Sequence, residues 1–79
     1  MKARIIVTLK TGVLDPQGKA IEAALKSFGI DSVGGVRQGK VFDLDVEAAD
    51  RAAAEATLKS ACDKLLANTV VENYTIEIA

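Results

Sequence analysis

An α+β domain is predicted by three observations on this chain. Period-two apolar patterns mark its start, middle and end. Helical patterns with their own start and stop signals separate them. The whole order, β-α-β-β-α-β, fits within 79 residues with no linker, repeat or low-complexity tract, so a single domain over 1–79 is expected.

Ile5, Val7 and Leu9 alternate with Arg4, Thr8 and Lys10, the pattern of a strand with one buried face. Ile6 keeps the other face from being wholly polar. Asp15 then suits a helix N-cap, because its carboxylate can accept unpaired first-turn N–H groups, and Pro16 suits the first helical position. Ile21, Ala24, Leu25 and Phe28 form an apolar stripe, with Glu22 and Lys26 spaced as an exterior pair. Gly29 is the expected left-handed stop.

Residues 32–46 read as a β-hairpin. Phe42, Leu44 and Val46 alternate with Val41, Asp43 and Asp45 on its second arm, Gln38-Gly39 is its candidate turn, and Gly34-Gly35 suggests a bulge or a close backbone approach. A second helix runs from about 48–51 to 67, with Ala54, Leu58, Ala61, Cys62 and Leu65 as its stripe, Glu55 and Lys59 outside, and Asn68 as terminator. Tyr74, Ile76 and Ile78 alternate with polar residues in a last strand. Right-handed crossovers put both helices on one side of the sheet. The expected architecture is a ferredoxin-like sandwich, two helices on a four-stranded antiparallel sheet. Ile6, Val36 and Val41 would lie on its bare face. With no proline to blunt the sheet edges, strand-to-strand self-association is expected.

Composition narrows the function. One cysteine and no histidine leave no intramolecular disulfide and no zinc-ligand cluster. No apolar run approaches the roughly 20 residues of a membrane span, and Met1-Lys2-Ala3-Arg4 leads into a strand without the apolar core of a signal peptide, so a cytosolic protein is expected. A net charge of −1 and three aromatic side chains argue against nucleic-acid binding. Cys62 sits on the buried stripe without a base to activate it. Asp43 and Asp45 share a strand face and suit either a cation or cross-strand pairs with Arg4 and Lys10. Gly12 and Gly18 do not match a phosphate-loop spacing. No catalytic residue and no metal ligand is expected.

Three junctions are distinctive: Lys10-Thr11-Gly12-Val13-Leu14-Asp15-Pro16-Gln17-Gly18, Val36-Arg37-Gln38-Gly39-Lys40, and Leu65-Leu66-Ala67-Asn68-Thr69-Val70-Val71-Glu72-Asn73-Tyr74. In this order and spacing they resemble the PurS family, the small subunits of phosphoribosylformylglycinamidine synthase. The family patterns are K-x-G-V-L-D-P-Q-G, V-R-x-G-K and L-L-A-N-P-V-I-E-x-Y; Thr69 stands where the family commonly has proline. The resemblance implies a non-catalytic subunit of an ATP- and glutamine-dependent C–N ligase in de novo purine biosynthesis. It would bridge a large synthetase subunit and a glutaminase subunit and assist ammonia transfer, as a homodimer or tetramer. The complex would use ATP, Mg and glutamine, with no cofactor bound by this chain alone.

Carried over motif by motif, the candidate partner contacts are Lys10, Gly12, Asp15, Gln17 and Gly18, then Arg37, Gly39 and Lys40, then Asn68, Glu72 and Tyr74. Of these, Lys10, Gln17, Arg37 and Lys40 are favoured, as long polar side chains without an evident local structural need. The rival reading, from fold analogy, is a dimeric small-molecule-sensing module.

Overall fold

The computed structural model describes residues 1–79. Its elements are β1 (Lys2–Leu9), α1 (Pro16–Ser27), β2 (Gly39–Asp45), α2 (Arg51–Ala61), a π-helical turn (Cys62–Leu66) and β3 (Glu72–Ile78). The sheet has three antiparallel strands in the order β2-β1-β3, not four.

The missing strand has a physical cause. Two alternate residues of the expected first arm give their N–H groups to carboxylates instead of a ladder: Val36 donates to Glu22 of α1 at 2.7 Å and Gln38 to the α1 cap Asp15 at 2.7 Å. Gly35, at φ +65°, turns the chain out of the extended region. Gln38-Gly39 is therefore not a hairpin turn, and β2 begins at Gly39.

α1 begins and ends as its sequence dictates. The Asp15 carboxylate accepts the Gly18 N–H at 2.9 Å, and Pro16 follows it. At the other end Gly29 adopts φ +81°, its N–H bonds Lys26 O, and the Ile30 N–H bonds Leu25 O, a Schellman closure. Its placement differs from expectation. α1 packs broadly against neither the strands nor α2 and projects from the sheet, so only α2 covers the sheet. The molecule measures 51 × 25 × 15 Å with a radius of gyration of 16.0 Å. A compact chain of this length would have about 12 Å. Ile21 and Phe28 are consequently exposed. Glu22 does not pair with Lys26; it turns toward Val36 and Lys19.

The core lies between the sheet and α2. Ala3, Ile5 and Val7 of β1 pack with Val46, Ala54, Leu58, Cys62, Ala67 and Ile78. Asp50 caps α2 through the Ala53 N–H. The buried line runs Ala54, Leu58, Cys62 and then half-buried Leu66, while Leu65 points to solvent, against the predicted stripe. The π turn explains this: the Ala67 N–H reaches Cys62 O, five residues back, and the wider turn carries position 66 onto the core side. The predicted Glu55–Lys59 pair is replaced by Arg51–Glu55 at 3.6 Å.

On the outer sheet face Lys2 lies opposite Asp45 and Arg4 opposite Asp43, forming ion pairs of 2.9 and 2.7 Å. Asp43 thus takes the expected Arg4, whereas Asp45 takes Lys2 and not Lys10. Each carboxyl is held below its usual range by that partner's hydrogen bond. Ile6 and Val41 sit opposite each other farther along the same face, Val41 exposed. No helix is long and apolar enough to cross a membrane.

Candidate functional site

Both outer strands run antiparallel to β1, so the end of β1 meets the starts of β2 and β3. Thr8 pairs with Gly39, and Leu9 with Glu72. The three junctions, far apart in sequence, therefore gather at one end of the sheet.

Two neighbouring clefts mark this end. One, of about 310 Å³, is lined by Asp15, Gln17, Gly39, Lys40 and Glu72 beside Val7 and Leu9. The other, of about 360 Å³, is lined by Gly12, Asp15, Lys19, Glu22, Val36 and Arg37, among others. Asp15 borders both. It is 8% exposed, and its two oxygens divide between the Gly18 and Gln38 amides. The Gln38 N–H, then the Gly18 N–H, with the nearby Arg37 charge, hold its carboxyl below the ordinary aspartate value.

Arg37 donates from Nη2 to the carbonyls of Leu9 and Lys10, 3.1 Å each. These carbonyls lie just beyond the last β1–β2 pair, so the guanidinium extends the ladder with a side chain. Lys40 Nζ stands 3.6 Å from Glu72, whose other oxygen accepts the Asn68 N–H at 2.7 Å. The Asn68 side chain accepts the Val70 N–H at 3.2 Å, which shapes the turn into β3. Arg37 and Lys40 thus have local partners, and the premise that they lack a structural need is corrected.

Gly18 and Gly39 are positions of close approach. A β-carbon on Gly18 would overlap the Val36 carbonyl oxygen, and one on Gly39 would meet Val7 O at 2.6 Å. Gly12 instead needs its freedom of φ, at +88°. Gln17 is exposed and half-exposed Lys10 bonds Val71 O through its backbone N–H, so these two side chains are the least committed of the set. Tyr74, paired with Val7 in β3, lines neither cleft. Its hydroxyl donates to Asp63 of the π turn at 2.9 Å, which pushes the phenol pKa up.

The sequence offers Glu22 only as an exterior partner for Lys26 and not as a site residue, although it fixes Val36. The signal was present: positions 15, 18 and 22 fall on one helical face. Chemically, the carboxylates here accept backbone N–H groups, and no three His, Cys, Asp or Glu side chains gather as an ion-holding set. Cys62 is fully buried, and burial pushes its thiol pKa up. The arrangement braces chain segments against one another; it places no nucleophile beside a base.

Residues 2–79 match the family model PurS, described as phosphoribosylformylglycinamidine (FGAM) synthase. The chain is 52% identical over 75 residues to the phosphoribosylformylglycinamidine synthase subunit PurS of Synechocystis, covering 95% of this chain and 75% of that protein. Its fold matches the Bacillus subtilis PurS structure with a TM-score of 0.87 at 46% identity, covering 96% of this chain and 94% of the other. A chain of the PurLQS structure from Thermotoga maritima matches with a TM-score of 0.89 at 38% identity, covering 96% and 93%. With the three junction motifs gathered at one end of the sheet and the match running from residue 2 to residue 79, the chain belongs to the PurS family of FGAM synthase.

Proposed function

We propose that this chain is the small, non-catalytic subunit of FGAM synthase, holding the large synthetase subunit and the glutaminase subunit in register. The observation that carries this reading is its likeness, over 96% of its length, to a chain of the PurLQS assembly. A module without acid, base or nucleophile serves a coupled ligase by proximity and by excluding water, so that ammonia released at one site reaches the other unprotonated. ATP, Mg and glutamine belong to the larger subunits, and the complex works in the cytosol. The junction end of the sheet, with Lys10 and Gln17 uncommitted, is the favoured face for the larger partners. The sensing alternative is not favoured: the clefts at that end are bordered by side chains already bonded within the chain.

Self-association is part of the same reading. A ferredoxin-like protomer would lay α1 over β1 and β2 beside α2. Here α1 leaves Phe42 and Leu44 only half-buried and carries exposed Ile21 and Phe28 itself. The arm of a second copy fills that place, and the exchange is reciprocal, closing a two-fold dimer. The test is reconstitution: purified chain is mixed with the two larger subunits, with glutamine and ADP for co-elution, and with ATP, Mg, glutamine and formylglycinamide ribonucleotide for ligation. Co-elution and restored glutamine-dependent ligation are expected, and ligation undiminished without the chain refutes the reading.

A further inference from the structure

The chain passes between sheet and α1 twice, outward through residues 10–15 and back through residues 36–38. Each passage grips the other. Asp15, at the end of the outward passage, accepts the Gln38 N–H of the returning one at 2.7 Å. Arg37, in the returning passage, donates to the Leu9 and Lys10 carbonyls where the outward one leaves β1. The arm itself is tied separately, by the Glu22–Val36 bond and the contact of Gly18 with Val36. Since α1 packs broadly on neither the strands nor α2, little else orients it.

We infer that Asp15 and Arg37 form a reciprocal cross-brace that sets the angle between the α1 arm and the sheet. They are positioning residues for assembly and act through the arm; they do not act by touching a partner subunit. This rests on the assembly role proposed above and deepens it. An arm with a wide spread of angles presents Ile21 and Phe28 correctly only part of the time, and apparent affinity falls by that fraction.

The experiment measures the arm directly. Spin labels are placed on the arm and the outer sheet face through Lys26→Cys and Thr75→Cys, in a Cys62→Ala background. Excess unlabelled chain ensures that only distances within one chain are read. The starting protein should give one narrow distance distribution. The double variant Asp15→Asn/Arg37→Gln should broaden it while far-ultraviolet dichroism stays the same, and should weaken self-association through the arm, and with it assembly with the larger subunits, about ten-fold, as when the correctly angled arm is populated about a tenth of the time. If the double variant does not fold, Arg37→Gln alone is used, since that side chain is exposed. An unchanged distribution overturns the brace even if assembly weakens, because Arg37 and Asp15 would then act by contact. Broadening with undiminished assembly overturns the positioning role. Failure of the unsubstituted chain to assemble refutes the assembly role instead, and the distance measurement still decides the brace.

Discussion

Gly18 and Val36 pack so closely that no side chain fits between them: the space a β-carbon would need on Gly18 is taken by the Val36 carbonyl oxygen. Gly18 is also the residue whose N–H the Asp15 carboxylate caps. One position thus serves the start of α1 and the seating of the returning chain. Gly18→Ala is expected to destabilise the protein by about 1–3 kcal/mol, as overpacking against backbone does. Gly34→Ala, with open space around it and no positive φ, should stay within about 0.5 kcal/mol. Urea unfolding midpoints of the two variants check the contrast.

Stability should fall on acidification through a defined window. Asp15, Asp43 and Asp45 all have folded pKa values below their unfolded ones, Asp15 through the Gln38 and Gly18 amides and the other two through Arg4 and Lys2. A depressed carboxyl contributes stability above its unfolded pKa and loses it as pH drops through the folded value. The urea midpoint should therefore be flat near neutrality and decline below about pH 4. Asp15→Asn should flatten part of that decline. Salt should weaken the contributions of the exposed pairs of Asp43 and Asp45 more than that of buried Asp15.

Cys62 should be inert until the protein opens. It is fully buried and its thiol is pushed toward the protonated form. Reaction with a chromogenic disulfide reagent should be slow in buffer and rapid in denaturant, with a rate that tracks the open population. Fast stoichiometric labelling of the native protein would contradict the packing described.

Leu58, 2% exposed in the middle of α2, has few neighbours free to collapse into its place in so small a core. Leu58→Ala should cost about 2–5 kcal/mol, a large share of what a domain of this size has. Circular dichroism melting is the measurement.

Phe28→Ser removes a side chain that is 79% exposed, so protomer stability should change by no more than about 0.5 kcal/mol. Self-association should weaken by about ten-fold or more, as loss of a buried aromatic anchor does. Sedimentation velocity across a concentration series separates the two effects. An unaltered association constant removes Phe28 from the dimer contact.

The ends of α1, the alternation of β1, β2 and β3, and the Arg4–Asp43 pair were legible in the sequence, because each depends on neighbours or on simple period. Capping by Asp15 and the left-handed Gly29 are properties of a few adjacent residues. The fourth strand was not legible as absent. Val36 and Gln38 look like strand residues until the carboxylates that take their amides are known, and those lie on another element. The outward position of α1 was hidden for a related reason: its apolar stripe states that it must be covered, not by which chain. Leu65 failed because a single π turn shifts every later position, and only one extra residue separates the two registers. At the junction end, Arg37 read as an uncommitted surface charge because its acceptors are backbone carbonyls, which no side-chain pattern announces.

β1 is the only strand with two neighbours, and neither is local. Lys2 meets Asp45, and Ala3 meets Ile78, both distant in sequence. During synthesis β1 emerges before β2 and β3, and it cannot complete its pairing until both have followed. Such distant contacts slow folding, and a nascent chain with its most apolar strand unattended is open to capture by chaperones or by another nascent copy.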